Sequence, residues 1–147
     1  MIKKVCPCIL KNEGKIRKAL VFKHPCGDFQ LVKGTVEPGE NVEDAALREL
    51  TEEAGIMNAQ IVDKIAVLHD RVRPDKDAEE QEWEWHIFLV EPKVELPESW
   101  KQQASGSDVE NELVFSFFWQ VLPGDYSNYH SCFLPVFRIL EDYSGSL

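Results

Sequence analysis

Apolar residues at the beginning of the chain occur in short runs that are bounded by turn residues, a pattern typical of strands. The first two runs are separated by the turn-rich segment 12–15. A second turn, over 25–28, precedes the third run. The pattern therefore predicts strands over 2–10, 16–23 and 29–32.

The next segment changes to the period of a helix. Asn41 is a suitable N-cap with acidic residues after it, and Gly55 suits the left-handed position that ends a helix. Leu47 and Leu50 belong to one apolar stripe at helical spacing. We therefore predict a helix over 41–54 that packs this stripe against a core.

The second half of the chain resumes the strand pattern. Its runs of branched and aromatic residues are separated by a polar connection over 74–82 and a longer one over 92–111. The order of strands and helices favours a mixed or antiparallel sheet with helices packed against it. The remaining predicted elements are strands over 61–72, 83–90 and 113–121 and a helix over 129–142.

Three carboxylates share the side of the first helix that lies away from its apolar stripe, those of Glu49, Glu52 and Glu53. Glu49 and Glu53 are four residues apart and repel each other, whereas Arg48 can reach Glu52 one turn later. A divalent cation such as Mg²⁺ or Mn²⁺ would turn this repulsion into coordination. The alternative interpretation is a solvated acidic face, the usual role of a charge run.

The segment before the helix favours ligand binding near these carboxylates. Residues 33–40 place two glycines and a proline directly before the helix N-terminus. Glycine lets a loop bring its backbone close to a ligand, and the start of a helix attracts an anion. Glu40 stands where its carboxylate could reach back toward the same metal ions.

This segment and the helix together resemble a known motif. Gly34, five residues, Glu40, seven residues and then RELTEEAGI (48–56) resemble the Nudix box without a mismatch. The box spans 23 of the 147 residues, and the order of elements around it resembles the whole Nudix domain. The resemblance implies a single domain over 1–147 of the α/β class, in its α+β form, with an α/β/α sandwich around a mixed β-sheet. It also implies a pyrophosphohydrolase, which cleaves a phosphoanhydride bond in a nucleoside diphosphate linked to another group.

The resemblance further implies a role for each matching residue. The loop glycine would bring the backbone against the metal site, the arginine would orient one glutamate, and three glutamates would bind Mg²⁺ or Mn²⁺. The loop glutamate would be an auxiliary or water-mediated ligand. Carried over position by position, these residues are Gly34, Arg48 (orienting Glu52), the metal ligands Glu49, Glu52 and Glu53, and the auxiliary ligand Glu40.

The base that accepts the proton of the attacking water is not defined by the box. Glu110 and Glu112 precede the last predicted strand and are the candidates outside the box, with Glu112 favoured. An exposed loop acid without a catalytic role is the alternative for either residue. The expected catalytic residues are therefore Glu52, Arg48 and Glu112.

Several basic residues are expected to contact the phosphates of the substrate. Lys33 directly precedes Gly34 at the entry to the box, and both are expected to bind substrate. Arg71 and Arg73 are further candidates, although the acidic residues near them make a solvated loop an equal alternative. The Lys-Gly entry resembles that of the dinucleoside-polyphosphate and phosphate-rich branches of the family, but the branch-specific residues after the box are mostly missing. A (d)NTP-like compound and a dinucleoside polyphosphate or related compound therefore both stay open as the substrate.

Composition and charge limit the classes of partner that this protein can have. The 147 residues contain 26 Asp and Glu against 16 Lys and Arg, a formal net charge of −10. This charge repels long nucleic acids, so we expect a small-molecule nucleotide substrate. No apolar run reaches the roughly 18–20 residues of a membrane helix, and the N-terminus lacks the apolar stretch of an export signal. We therefore expect a cytoplasmic protein with free cysteines and no membrane partner.

A second hypothesis is a non-catalytic regulatory module that binds a nucleotide or an RNA end on the same fold. The intact set of Glu49, Glu52 and Glu53 argues against it, because a pure binder has no need of a self-repelling carboxylate cage. Protection against heat by Mg²⁺ or Mn²⁺ discriminates the two, since only a working cage gains stability from the cation.

Overall fold

The computed structural model describes residues 1–106 and 112–145. No helix in these two ranges combines the length and the apolar character needed to cross a membrane. The described residues form two β-sheets and two α-helices. The strands are β1 (Ile2–Cys8), β2 (Leu10–Glu13), β3 (Ile16–Lys23), β4 (Phe29–Gln30), β5 (Gly34–Thr35), β6 (Gln60–Val72), β7 (Gln81–Glu91), β8 (Trp100–Gln103) and β9 (Val114–Leu122), and the helices are α1 (Val42–Ala54) and α2 (Leu134–Asp142).

The first sheet is mixed and has the strand order β5-β1-β7-β6. β1 and β7 run parallel, with Lys4 opposite Trp85, whereas the other two pairs are antiparallel. Parallel strands need a long crossover connection, and the chain between β1 and β7 includes α1. The mixed sheet with its helices confirms the predicted fold class.

The second sheet is antiparallel and has the order β2-β3-β9-β8. The short strand β4 pairs with β3 beyond the end of β2. The edge strand β8 lies close to α1, because the indole of its first residue, Trp100, donates a hydrogen bond to the Ala54 carbonyl at 3.3 Å. This sheet therefore brings the chain after β8 to the helix that carries the carboxylates.

The apolar side chains form two clusters. One cluster contains α1 with Val5 of β1 and Phe88 of β7, and the other contains α2 with Cys6 of β1 and Ile87 of β7. Successive residues of a strand point to opposite faces of its sheet. The two helices therefore pack on opposite faces of the mixed sheet, which is the layer order of an α/β/α sandwich.

The first predicted strand, 2–10, is divided in two. β1 and β2 belong to different sheets, and Ile9 lies between them. The Ile9 carbonyl accepts a hydrogen bond from the Leu20 amide at 2.9 Å. The apolar pattern continues through this bend, so the sequence alone did not reveal it.

Two short strands were not predicted. β5 contains only two residues and pairs with β1, where Lys4 lies opposite Thr35. β8 lies inside the predicted connection 92–111 and pairs with β9, where Trp100 lies opposite Phe117. Both strands form because a longer strand offers them a partner, and so their own residues carry little strand pattern.

The helix α1 begins and ends where the sequence predicts. The Asn41 Oδ1 accepts a hydrogen bond from the Asp44 amide at 2.8 Å. Gly55 has a φ of 71°, and its amide donates to the Thr51 carbonyl at 3.0 Å. Leu50 of the apolar stripe is buried. The caps and the stripe together fix which side of α1 faces the solvent.

The C-terminal helix is shorter than the predicted span 129–142. A 3-10 turn over Ser131–Phe133 precedes α2. The Nδ1 of His130 accepts a hydrogen bond from the Cys132 amide at 2.9 Å and caps this turn. Pro135 lies in the first turn of α2, where its missing N–H costs no helical hydrogen bond.

Candidate active site

The carboxylates of α1 line a cleft of about 280 Å³. Glu49, Glu52 and Glu53 line it from α1. Lys33 and Gly34, the first residue of β5, line it from the segment before the helix. Glu53 is nearly buried, with 6% of its surface exposed. The structure therefore brings together the three predicted metal ligands and two of the predicted substrate-binding residues.

Two glycines leave room for the carboxylates. A Cβ on Gly34 would overlap the carboxyl group of Glu49, and a Cβ on Gly106 would overlap that of Glu52. Gly106 also has a φ of +94°, which residues with a side chain rarely adopt. Sequence reasoning missed Gly106, since no local pattern places the chain after β8 beside α1.

Gly106 reaches α1 because the segment after β8 is hydrogen-bonded to the helix. The Ser105 amide donates to the Glu52 carbonyl at 2.9 Å. The preceding residue, Ala104, donates its amide to the Leu113 carbonyl at 2.9 Å. These bonds hold the start of β9 at the C-terminal half of α1.

Of the two candidate bases, only one lies in the described part of the chain. Glu112 is exposed and directly precedes Leu113, whose carbonyl accepts the Ala104 amide, and it is not among the residues that line the carboxylate cleft. Glu110 lies outside the described residues. The role of Glu112 as a base stays a prediction.

Arg48 links the loop before α1 to the carboxylates on the helix. Its Nε and Nη2 donate to the two oxygens of Glu40, at 2.8 and 3.0 Å. Its Nη1 donates to Glu49 Oε1 at 2.9 Å and to Glu52 Oε2 at 3.1 Å. A further bond from Nη2 reaches the Thr35 carbonyl at 2.9 Å. The predicted contact between Arg48 and Glu52 is therefore present, within a wider network.

Glu40 is held by Arg48 rather than directed at the other carboxylates. The guanidinium hydrogen bonds lower the pKa of Glu40, and the same bonds raise the pKa of Arg48. A Glu40 oxygen also accepts the Glu37 amide at 3.1 Å, which closes the turn before α1. Glu40 thus orients the arginine, and its expected role as an auxiliary metal ligand stays a prediction.

Lys4 is a cleft residue that sequence reasoning missed. It lines the cleft from β1, and its Nζ donates to Thr35 Oγ1 at 2.7 Å. Burial, followed by the nearby charge of Lys33, lowers its pKa to about 8. One sequence feature could have identified Lys4: it is a lysine on the strand face that also carries Cys6 and Cys8, where an apolar residue would be expected.

The structure does not bring Arg71 and Arg73 to the cleft of α1. Both line a separate pocket beside His130. Arg71 pairs with Glu80 and Glu82, at 3.4 and 2.8 Å. The Arg73 Nη1 donates to a backbone carbonyl at 2.6 Å. Substrate binding by these two arginines therefore stays a prediction, and it requires a substrate that extends beyond the carboxylates.

The NUDIX domain family model matches residues 4–124, which is most of the chain. The chain belongs to the Nudix family. Nudix hydrolase 25 of Arabidopsis thaliana is 34% identical over 58 residues, which are 40% of this chain and 33% of that protein. The match thus spans about a third of the length of this curated relative.

Solved structures of other Nudix proteins share the fold at low sequence identity. An Ap4A hydrolase of C. elegans matches with a TM-score of 0.63 and 18% identity over 95% of each chain. A MutT Nudix hydrolase of Burkholderia pseudomallei has a TM-score of 0.61 and 17% identity, over 95% of this chain and 97% of that one. An ADP-ribose pyrophosphatase of Streptococcus suis has a TM-score of 0.59 and 18% identity, over 99% and 94%. These likenesses show the Nudix fold.

Nudix hydrolases generally use divalent metal ions, and the chemistry of this cleft suits them. Carboxylate oxygens are the ligands that Mg²⁺ and Mn²⁺ prefer, and Gly34 provides the space in which the Glu49 carboxylate lies. Within residues 1–106 and 112–145, no three His, Cys, Asp or Glu side chains converge closely enough to hold a metal ion. Arg48 bridges Glu49 and Glu52 instead.

Proposed function

We propose that this Nudix protein is a pyrophosphohydrolase that uses Mg²⁺ or Mn²⁺ to hydrolyse a phosphoanhydride bond in a nucleoside diphosphate linked to another group. The observation that carries the proposal is the division of charge in the cleft. Glu49, Glu52 and Glu53 lie on α1, whereas Lys4 and Lys33 line the same cleft from outside the helix. Carboxylates hold cations and lysines attract phosphate oxygens, so a metal-bound diphosphate fits between them.

In this proposal, Glu49, Glu52 and Glu53 bind the cations. These residues would hold a divalent cation, which would supply neutralisation of the diphosphate charge and a water of lowered pKa. Arg48 sets the orientation of Glu52 through the hydrogen bond at 3.1 Å. Its bidentate pair with Glu40 restricts the guanidinium to one position. The contacts between the loop and the helix therefore keep the carboxylates of the proposed metal ligands in fixed relative positions.

Glu112 is the proposed base for the attacking water. A carboxylate can accept the proton when it lies within hydrogen-bonding reach of the water. The bonds of Ser105 and Ala104 support this assignment, because they hold the start of β9 beside Glu52.

The proposed substrate is a small nucleotide. The net charge of −10 disfavours long nucleic acids, and a cleft of about 280 Å³ suits a diphosphate with part of a nucleoside. The names of the matching structures refer to Ap4A and to ADP-ribose, so they span more than one substrate class. Experiment must therefore select the nucleotide.

We place the protein in the cytoplasm. All four cysteines are free, including Cys6 and Cys8, whose sulfurs lie 3.7 Å apart in the core. Free thiols persist in a reducing compartment, whereas exported proteins commonly pair them. This placement agrees with a nucleotide as the substrate.

Incubation of the full chain with Mg²⁺ and a panel of nucleotides tests the proposal. The panel contains (d)NTPs, ADP-ribose, diadenosine polyphosphates, nucleotide sugars and a capped oligonucleotide, and chromatography separates the products. We expect one class to release a nucleoside monophosphate. Glu53→Gln should abolish the release because a metal ligand is lost. Glu43→Gln changes an exposed position of the same helix and should leave the activity intact.

Two outcomes contradict parts of the proposal. Full activity of Glu53→Gln shows that the metal assignment is wrong. Metal binding without hydrolysis of any panel member favours the alternative function, a non-catalytic module that binds a nucleotide or an RNA end.

A further inference from the structure

Two lysine side chains lie near one buried indole at the rim of the α1 cleft. The Nζ of Lys4 lies 4.8 Å from the centre of the Trp83 ring, and the Nζ of Lys33 lies 5.7 Å from it. Trp83 is 2% exposed, so the surrounding core packing fixes the position of its ring next to the two ammonium groups. The hydrogen bond from Lys4 to Thr35 Oγ1, at 2.7 Å, holds the first of them in place.

The two ammonium groups repel each other at this position. Both Nζ atoms approach the same indole ring, at 4.8 and 5.7 Å from its centre, so the two like charges lie close to each other. The hydroxyl of Thr35 accepts a hydrogen bond but brings no negative charge. An anion placed between the two lysines would remove this repulsion, because it attracts both of them.

Lys33 lines two cavities, and Lys4 lines one of them. Both line the cleft that contains Glu49 and Glu53. Lys33 and Trp83 also line a second pocket of about 80 Å³, together with Gln30. A molecule that extends from the carboxylates toward this second pocket would pass Lys33, and Lys4 lies beside this path because its Nζ is 4.8 Å from the centre of the Trp83 ring. The group that fits at this junction is an anion, and in a nucleoside diphosphate it is a phosphate.

We propose that Lys4 is a substrate-binding residue that acts with Lys33 to hold the phosphate at the junction between the carboxylate cleft and the Trp83 pocket. The proposal rests on the proposed function and adds to it a residue outside the Nudix box. The Nζ of Lys4 donates to a non-bridging phosphate oxygen, and Thr35 and Trp83 hold the ammonium group in position. Lysine is a compact point charge, so the pair recognises the charge of the phosphate rather than the group attached to it.

Four variants of the full chain test this role. Lys4→Met removes the charge and keeps an unbranched stem against Trp83, whereas Lys4→Arg keeps the charge. Lys4→Gln is a second neutral variant that covers a failure of the methionine variant to fold. Lys3→Met is the matched control, because Lys3 is exposed and is the neighbouring residue of β1 on its other face.

The first measurement is calorimetric binding of methylenediphosphonate, a diphosphate analogue that is not hydrolysed, in the presence of Mg²⁺. We expect Lys4→Met to weaken binding by about tenfold or more, the usual effect of losing one charged hydrogen bond. Lys4→Arg should recover most of the affinity, and Lys3→Met should bind like the unchanged protein. With an active nucleotide, Lys4→Met should raise KM by a similar factor and change kcat by less than about twofold.

The results separate this proposal from the proposed function. Unchanged analogue binding and KM in the folded neutral variants overturn the role of Lys4, even if the protein is an active hydrolase. A loss of kcat at constant KM, not recovered by Lys4→Arg, also overturns it. If the unchanged protein hydrolyses no nucleotide but Lys4→Met still weakens analogue binding, the proposed function fails and the role of Lys4 stands.

Discussion

Arg48 is the residue on which the arrangement of the site most depends. Its guanidinium donates five hydrogen bonds, which reach the loop at Thr35 and Glu40 and the helix at Glu49 and Glu52. A planar fork of donors can serve several acceptors in fixed directions, whereas a lysine ammonium cannot. One side chain therefore connects the two segments that the carboxylate site needs.

The substitution Gly34→Ala should lower hydrolysis much more than it lowers thermal stability. Gly34→Ala places a Cβ where the Glu49 carboxyl group lies, so Glu49 must move away from the loop. We expect hydrolysis to fall by at least about tenfold, the usual scale for misplacing a catalytic group. Thermal stability should change little, because the displaced group is the end of a flexible side chain. Steady-state kinetics and calorimetry measure the two effects.

Gly14→Ala is the control, with the opposite pattern of expected effects on stability and hydrolysis. Gly14 has a φ of +62°, and a Cβ at this position would meet no described atom within 4 Å beyond its chain neighbours. The substitution should cost about 1 kcal/mol of unfolding free energy and leave hydrolysis unchanged. Equal activity losses in both variants would contradict the specific role of Gly34.

At the scale of elements, α1 combines packing and chemistry on one helix. Leu50 and Ala54 are buried in the core, while Glu49 and Glu52 face the cleft. The rotation of the helix about its axis therefore decides whether the carboxylates meet the loop. The cap at Asn41 fixes where the helix begins, immediately after Glu40.

Loss of the Asn41 cap should lower stability. Asn41→Ala removes the acceptor of the Asp44 amide, and we expect the unfolding free energy to fall by about 1 kcal/mol. Asn41→Asp keeps the acceptor and adds a favourable charge at the helix N-terminus, so it should retain the stability. Urea unfolding followed by circular dichroism gives the difference. An alanine variant as stable as the aspartate variant would contradict this capping role.

At the scale of the molecule, the two sheets gather distant segments around α1. β1 supplies Lys4, β5 supplies Gly34, and the segment after β8 supplies Gly106. The cleft is acidic on the helix side within a chain of net charge −10. A cation bound there would add an attraction to these carboxylates beyond that of Arg48.

Divalent cations should therefore stabilise the whole protein against heat. A cation that binds only the folded state adds about 2.7 kcal/mol at a hundredfold excess over its dissociation constant. We expect MgCl₂ or MnCl₂ to raise Tm in scanning calorimetry, with NaCl at equal ionic strength as the control. Glu53→Gln should gain less from the cation. An equal Tm increase in both proteins would place the cation elsewhere.

Much of the local structure could be predicted. The bounds of α1 agree with the prediction because Asn41 and Gly55 are local signals that act within one turn. The division of 2–10 at Ile9 was missed because an apolar run continues when a strand passes from one sheet to another. The short strand at Gly34 was missed because it exists only through its pairing with β1.

The sequence by itself determined the family, the helix that carries Glu49, Glu52 and Glu53, and the loop that precedes it. These features depend on residues within one continuous stretch, where spacing along the chain fixes geometry. Only the tertiary structure brought Lys4 and Gly106 to the cleft and placed Arg71 and Arg73 in another pocket. Those positions depend on strand pairing between distant segments, and no local spacing encodes such pairing.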